Sequence, residues 1–382
     1  MPVYTNTIVC VVKRLLIYLF LGFTTAMQAG GVKIGDLYYN LDIQTATAEV
    51  TYQGTGLLNY SELPNSTLTI PATVTYQYRT YSVTAIGYRA FNYCDVIRAV
   101  TIPGSVKRID ANAFFNCINL RQITLSSHLT DIGPMAFYRC LNLSSIDIPD
   151  SVRVLRGSTF EQCTALKHVT LPDSLNAILD GTFNGCTALS FIRIPDGVRS
   201  IGKKAFASCT ALSAVSFGDS LRSIGSDAFL SCTALQSAIL PDSLNSISAQ
   251  AFKDCSSLKK IVLPSGLTSL SSNTFVGNKA LAEIYCYADT PAVMNSNFTD
   301  VDTMTCILYV PENSIALYKD ANGWRRFQDI RPLPADKPEQ PADAVYTHSD
   351  ALIAPAKRFV NGCLTIILPD GSHYAIDGCR LR

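Results

Sequence analysis

Apolar and polar positions along the middle of the chain keep one fixed register. Phenylalanine recurs at Phe91, Phe114, Phe137, Phe160, Phe183, Phe206, Phe229, Phe252 and Phe275, each 23 residues from the last. Cysteine follows three residues later at Cys94, Cys117, Cys140, Cys163, Cys186, Cys209, Cys232 and Cys255, with Asn278 in the ninth unit. Leucine stands three residues beyond that position, from Leu120 to Leu281. Nine phenylalanines at one interval are a repeat, not a coincidence.

Within a unit the alternation of Leu189, Ile192 and Ile194 predicts a short half-buried strand, and Pro195 stops its ladder. Asp-Ser or Asp-Gly beside the proline, as at Asp173-Ser174 and Asp196-Gly197, is turn chemistry. A second extended piece carries Val198 and Ile201, and the Ala-Phe pair closes the coil. One such coil cannot bury its own apolar face, but stacked coils can, because each side chain lands on its own copy. The expected fold is a mainly β solenoid of about nine 23-residue coils with a parallel sheet. Its structural core is expected in Phe114, Phe137, Phe160, Phe183 and Phe206 with Cys117, Cys140, Cys163, Cys186 and Cys209.

The same geometry bears on the thiols. Stacked equivalents hold their Cβ atoms about 4.8 Å apart, where a disulfide prefers about 3.8 Å. A column of reduced, buried thiols is therefore expected, and a column is not a tetrahedral zinc site. With no partner for a hydroxyl, Cys186→Ser is expected to cost about 1–3 kcal/mol.

The stretch from Ile194 to Cys209, I-P-D-G-V-R-S-I-G-K-K-A-F-A-S-C, resembles the BspA-like leucine-rich repeats. That resemblance implies a right-handed superhelix, β-rich caps at both ends, and secreted or cell-surface recognition without catalytic residues. It loosens at the proline, replaced by Ser126 and Gly218, and at the glycine, replaced by Asp110, Arg156 or Leu179. The flanks are similar to the caps of secreted Bacteroidetes members. One cap spans residues 30–80 before the solenoid of residues 81–285; the other spans 286–334 and carries Tyr309, Tyr318, Trp324 and Phe327.

At the start, Lys13 and Arg14 precede an apolar run at 15–23 and small residues near Ala26 or Ala29, as in an export signal over residues 1–29. The run is about half of the ~20 residues a membrane span needs, so no span is expected in the mature chain. A proline-rich linker is expected over 335–345 and a small β tail over 346–382. The tail resembles a short outer-membrane sorting segment, and a plain structural appendage explains it equally. Cys363 with Cys379, and Cys286 with Cys306, are the candidate disulfide pairs.

Composition narrows the function. There are 31 Lys and Arg against 30 Asp and Glu, a net charge of +1, so a basic nucleic-acid surface is not expected. The four histidines are scattered and no nucleophile or phosphate-loop motif occurs, so neither an enzyme nor a cofactor is expected. The outward strand positions are expected at Gln122, Ser145, His168, Phe191, Ala214, Ser237, Lys260 and Glu283. A second outward set is Thr101, Thr124, Asp147, Thr170, Arg193, Ser216, Ile239 and Val262. The only acids there, Asp147 and Glu283, lie six coils apart, roughly 29 Å at strand spacing, against the ~5–10 Å of a glycosidase pair. His168, Phe191, Arg193, Thr170 and Asp147 form the candidate binding face, for an extracellular protein or a host-cell or matrix ligand. An ordinary solvated sheet is the bland alternative, and a non-catalytic envelope scaffold the alternative function. Asp-Ser before an aliphatic residue, at Asp150, Asp173, Asp219 and Asp242, resembles an O-glycosylation acceptor, although turn preference already explains it.

Overall fold

The structure is a computed structural model that describes residues 31–53, 60, 63–294 and 298–339, together with the backbone of three strands in the tail. The expected export signal and Cys379 lie outside the described residues. The chain divides into two units, Met1–Pro338 and Glu339–Arg382.

The first unit is a parallel solenoid of about 11 turns. Each coil lays down one strand in each of two columns. The first column runs through Ala99–Thr101, Gln122–Thr124, Ser145–Asp147, His168–Thr170, Phe191–Arg193, Ala214–Ser216 and Ser237–Ile239. It continues through Lys260–Leu263 and Glu283–Cys286 into Ile307–Val310 and Asp329–Pro332. The second column pairs Ile109, Ile132, Leu155, Ile178, Ile201, Ile224 and Ile247 in strict register. A slip of one residue would turn these aliphatics out to water, so burial locks the register.

Opposite the sheets, the chain turns without a strand. Around Asn112–Cys117, alternate amides point two ways. Asn112, Phe114 and Asn116 donate to Pro134, Ala136 and Tyr138 of the next coil, at 3.1, 2.8 and 2.7 Å, while Ala113, Phe115 and Cys117 donate three residues back. The alternation needs two left-handed residues per coil, here Asn112 (φ 57°) and Asn116 (φ 56°). Most of these positions carry ordinary side chains, each at a backbone cost. Coils also approach closely: a Cβ on Gly133 would collide with the Ala111 amide nitrogen.

The phenylalanines stack face to face, Phe114 on Phe137 at 5.3 Å and Phe137 on Phe160 at 5.4 Å, within 5° of parallel. Among the described residues the ring column is longer than the nine of the repeat. Tyr60 precedes Phe91 at 5.1 Å, and Phe298 follows Phe275 at 5.7 Å.

Both ends are closed by residues that continue these ladders. At the N-terminus Val32–Ile34, Leu37–Asp42 and Thr47–Thr51 form an antiparallel meander, and Thr47–Thr51 then pairs in parallel with Arg79–Ile86. Tyr60 is pinned there by donating to the Thr51 carbonyl at 2.7 Å and accepting from the Tyr38 amide at 2.8 Å. At the C-terminus a helix, Ile315–Asp320, joins the strands. Phe327 meets Phe298 edge-on at 83°, and the tilted Trp324 lies beside it, which ends the stack. Trp324 Nε1 donates to the Ala292 carbonyl and the Tyr318 hydroxyl to that of Ala288, both at 2.9 Å. The tail strands Ala356–Val360, Cys363–Ile367 and His373–Ala375 form an antiparallel sheet of their own.

The described thiols of the solenoid are free and buried. They are not partnerless. Each Sγ from Cys117 to Cys255 donates to a phenylalanine carbonyl 26 residues earlier, at 2.9–3.3 Å. This corrects the expectation for Cys186→Ser, because a serine hydroxyl would find an acceptor in place. Cys286 and Cys306 are not paired either: Cys286 lies 3.0 Å from the Tyr318 hydroxyl. The cap's hydrogen bonding, invisible in the spacing, places that sulfur.

Candidate functional site

The outer face of the first column is the surface the fold presents most regularly. Val100, Ile123, Ile146, Ile192 and Val215 face the core, which forces their neighbours outward. Asp147 stands beside Thr170 in register, and the threonine hydroxyl donates to the carboxylate at 2.6 Å. His168 occupies the same register position as Ser145. Phe191 pairs with Ala214 and Arg193 with Ser216. All five expected residues thus share one face over three successive coils, with Asp147, Thr170 and Arg193 exposed and His168 and Phe191 half-buried.

Arg193 is held at the rim of this face. Its guanidinium lies 3.0 Å from Asp173 and 3.7 Å from Asp196, two exposed carboxylates of the adjoining turns. Exposed pairs of this kind contribute at most about 1 kcal/mol, so they orient the side chain more than they stabilise the fold. Asp147 and Glu283 are engaged separately, with Thr170 and with Lys260 at 3.1 Å. No group of three or more His, Cys, Asp or Glu among the described residues could hold a metal ion.

Further along, the face changes chemistry. The second outward set turns from Thr101, Thr124, Asp147, Thr170, Arg193 and Ser216 to Ile239, Val262, Tyr285 and Tyr309, the last four paired in register. Ile239 and Val262 point outward as the alternation demands, yet they are 5 % and 0 % exposed. With Tyr285 they form an apolar cluster separate from the core, packed against Tyr287, Tyr309 and Leu333. Tyr285 stacks on Tyr309 at 4.6 Å and lies under the Lys260 ammonium at 5.6 Å. Burial, reinforced by Glu283, pushes the Tyr285 hydroxyl up to about 12. The run of apolar outward residues was the sequence signal for this strip; its cover arrives from residues 333–337, far away in the chain.

Comparison with known proteins agrees with this architecture. A family model for the BspA type leucine rich repeat region, with six copies of the repeat, matches residues 84–213 and 176–305. A leucine-rich repeat protein from Bacteroides ovatus superposes with a TM-score of 0.53 at 26 % identity, covering 79 % of this chain and 76 % of that one. A leucine rich cell surface protein from Faecalibacterium prausnitzii has 26 % identity and a TM-score of 0.43, covering 80 % and 95 %. The leucine rich repeat protein of T. pallidum has 26 % identity and a TM-score of 0.46, covering 54 % and 90 %. No curated protein matches the chain.

Proposed function

Because the chain belongs to the BspA-type leucine-rich repeat family, we propose that it is an exported, surface-associated recognition protein. In this reading the outer sheet face, centred on Asp147, His168, Thr170, Phe191 and Arg193, binds an extracellular protein or a host-cell or matrix ligand. Members of this family are typically surface or secreted proteins, generally non-catalytic scaffolds. No helix among the described residues is long and apolar enough to cross a membrane.

The observation that carries the reading is the mixture on this face. The repeat fixes the inward residues and leaves the outward ones free, and three adjacent coils use that freedom for an aromatic ring, an arginine, a histidine and a carboxylate. Aromatic and arginine side chains dominate binding hot spots.

The test is binding of the mature chain to immobilised matrix proteins, glycans and host cells, compared with Phe191→Ser and Arg193→Glu. Saturable binding that falls at least tenfold in either variant, with unchanged circular dichroism, supports the assignment. Absence of binding, together with envelope defects on deletion, would favour a scaffold role inside the envelope.

A further inference from the structure

After the last strand of the first column, Asp329–Pro332, the chain does not leave the solenoid. Residues 333–338 turn back toward earlier coils and lie on the outer sheet face. Leu333 begins the segment by donating its amide to the Val310 carbonyl at 2.9 Å and packs against the Ile239, Val262 and Tyr285 cluster. Lys337 ends the contact. Its ammonium lies 2.7 Å from Asp242, 95 residues earlier in the chain, and 5.0 Å from the centre of the Tyr287 ring.

The composition of this segment matters. It reads P-L-P-A-D-K-P from Pro332 to Pro338, with no regular secondary structure after the strand ends. Prolines fix φ and keep such a stretch extended, so it binds at low entropic cost. The surface beneath it is what an extended proline-rich segment fits: a strip of tyrosines, Tyr285, Tyr287 and Tyr309, with an aliphatic floor and one carboxylate for a basic side chain. The match to the resident segment is incomplete, because the Tyr287 hydroxyl is buried without a hydrogen-bond partner among the described residues.

We propose that the tyrosine strip over residues 239–309 is a docking surface for an extended, proline-rich peptide carrying a lysine. Residues 332–338 occupy it in cis and close it until a competing segment of the same chemistry displaces them. The proposal rests on the reading of the outer sheet face as the binding surface and assigns its C-terminal part a ligand class. A tethered occupant acts at an effective concentration of the order of millimolar, so a free peptide meets a closed site in the wild-type chain. Weakening the two anchors opens it.

The experiment uses the full chain and a fluorescent peptide with the sequence of residues 331–340. Anisotropy titration is expected to give at least tenfold tighter binding to the Leu333→Asp, Lys337→Glu double variant than to wild type. Adding Tyr287→Ala to that double variant is expected to abolish the gain. Absence of peptide binding by a double variant with native circular dichroism overturns the proposal, as does binding indifferent to Tyr287→Ala. Should the double variant not fold, hydrogen exchange in the wild-type chain decides. Millimolar peptide is expected to speed exchange of the Leu333 amide, which the Val310 carbonyl protects, and an unchanged rate overturns the proposal. Because Phe191 and Arg193 lie outside the strip, loss of ligand binding there and loss of peptide docking here are separate results.

Discussion

The thiol of Cys186 donates a hydrogen bond to the carbonyl oxygen of Phe160, 3.2 Å away and 26 residues earlier. The same bond recurs coil after coil. It makes the cysteine column a second ladder beside the stacked rings: a donor small enough for a fully buried site, adding a second bond to a carbonyl that already accepts the amide three residues on. Cys186→Ser keeps a donor on a shorter bond and is expected to cost about 1 kcal/mol. Cys186→Val deletes the donor and overfills the column, and is expected to cost about 2–3 kcal/mol. Denaturant midpoints for the pair check the order; equal costs would show that the hydrogen bond contributes nothing.

Asn278 breaks this ladder. It is fully buried, and among the described residues both polar atoms of its amide lack a partner. An unsatisfied buried polar group costs about 1–3 kcal/mol. Asn278→Cys restores the repeat and is expected to raise stability by about 1–2 kcal/mol, read as a higher melting temperature. A lower melting temperature would mean that the amide has a role in the fold beyond filling the position.

The thiols also set an alkaline limit. Burial pushes Cys94 up to about 11 and Cys209 and Cys255 up to about 12, whereas an unfolded thiol titrates near ~8.5. Above that value the unfolded chain loses protons that the folded chain keeps, so stability is intact below about pH 8.5 and falls as pH rises toward the folded values. Each of Cys209 and Cys255 removes on the order of 2 kcal/mol by pH 10. A steep loss of melting temperature between pH 9 and 11 is expected. So is inertness of the ten described thiols to disulfide reagents at pH 8 until the chain unfolds.

Met135 sits at one of the left-handed positions, with φ 54° and 40 % exposure. Glycine takes that conformation without the side-chain penalty. Met135→Gly is expected to stabilise by about 0.5–1 kcal/mol, while Met135→Ala brings no gain. Thermal melts of the two variants distinguish backbone strain from lost side-chain contact.

How much of this was legible beforehand varies with the distance over which a feature is made. Phe183, Cys186, Leu189 and Ile192 declared their burial through spacing, and the outward set from Gln122 to Val262 followed by alternation. Phe298 was legible too, standing one further interval beyond Phe275, but its surroundings lack the rest of the motif. Asp147, His168, Thr170, Phe191 and Arg193 lie on one face because a stacked register places side chains without further information. The hydrogen bond of each thiol, the separation of Cys286 from Cys306, and the cover over Ile239 and Val262 left no periodic mark.

The sequence by itself determined the 23-residue coil, its inward residues and the order in which outward residues meet, because in a stack every residue's neighbour is its own copy one interval away. Only the tertiary structure decided what happens where that rule ends. Tyr60 and Trp324 close the ring column through contacts outside the period. Residues 333–337 cover a strip of the sheet by an ion pair spanning 95 residues. Such contacts depend on where the caps send the chain, and no repeat encodes that.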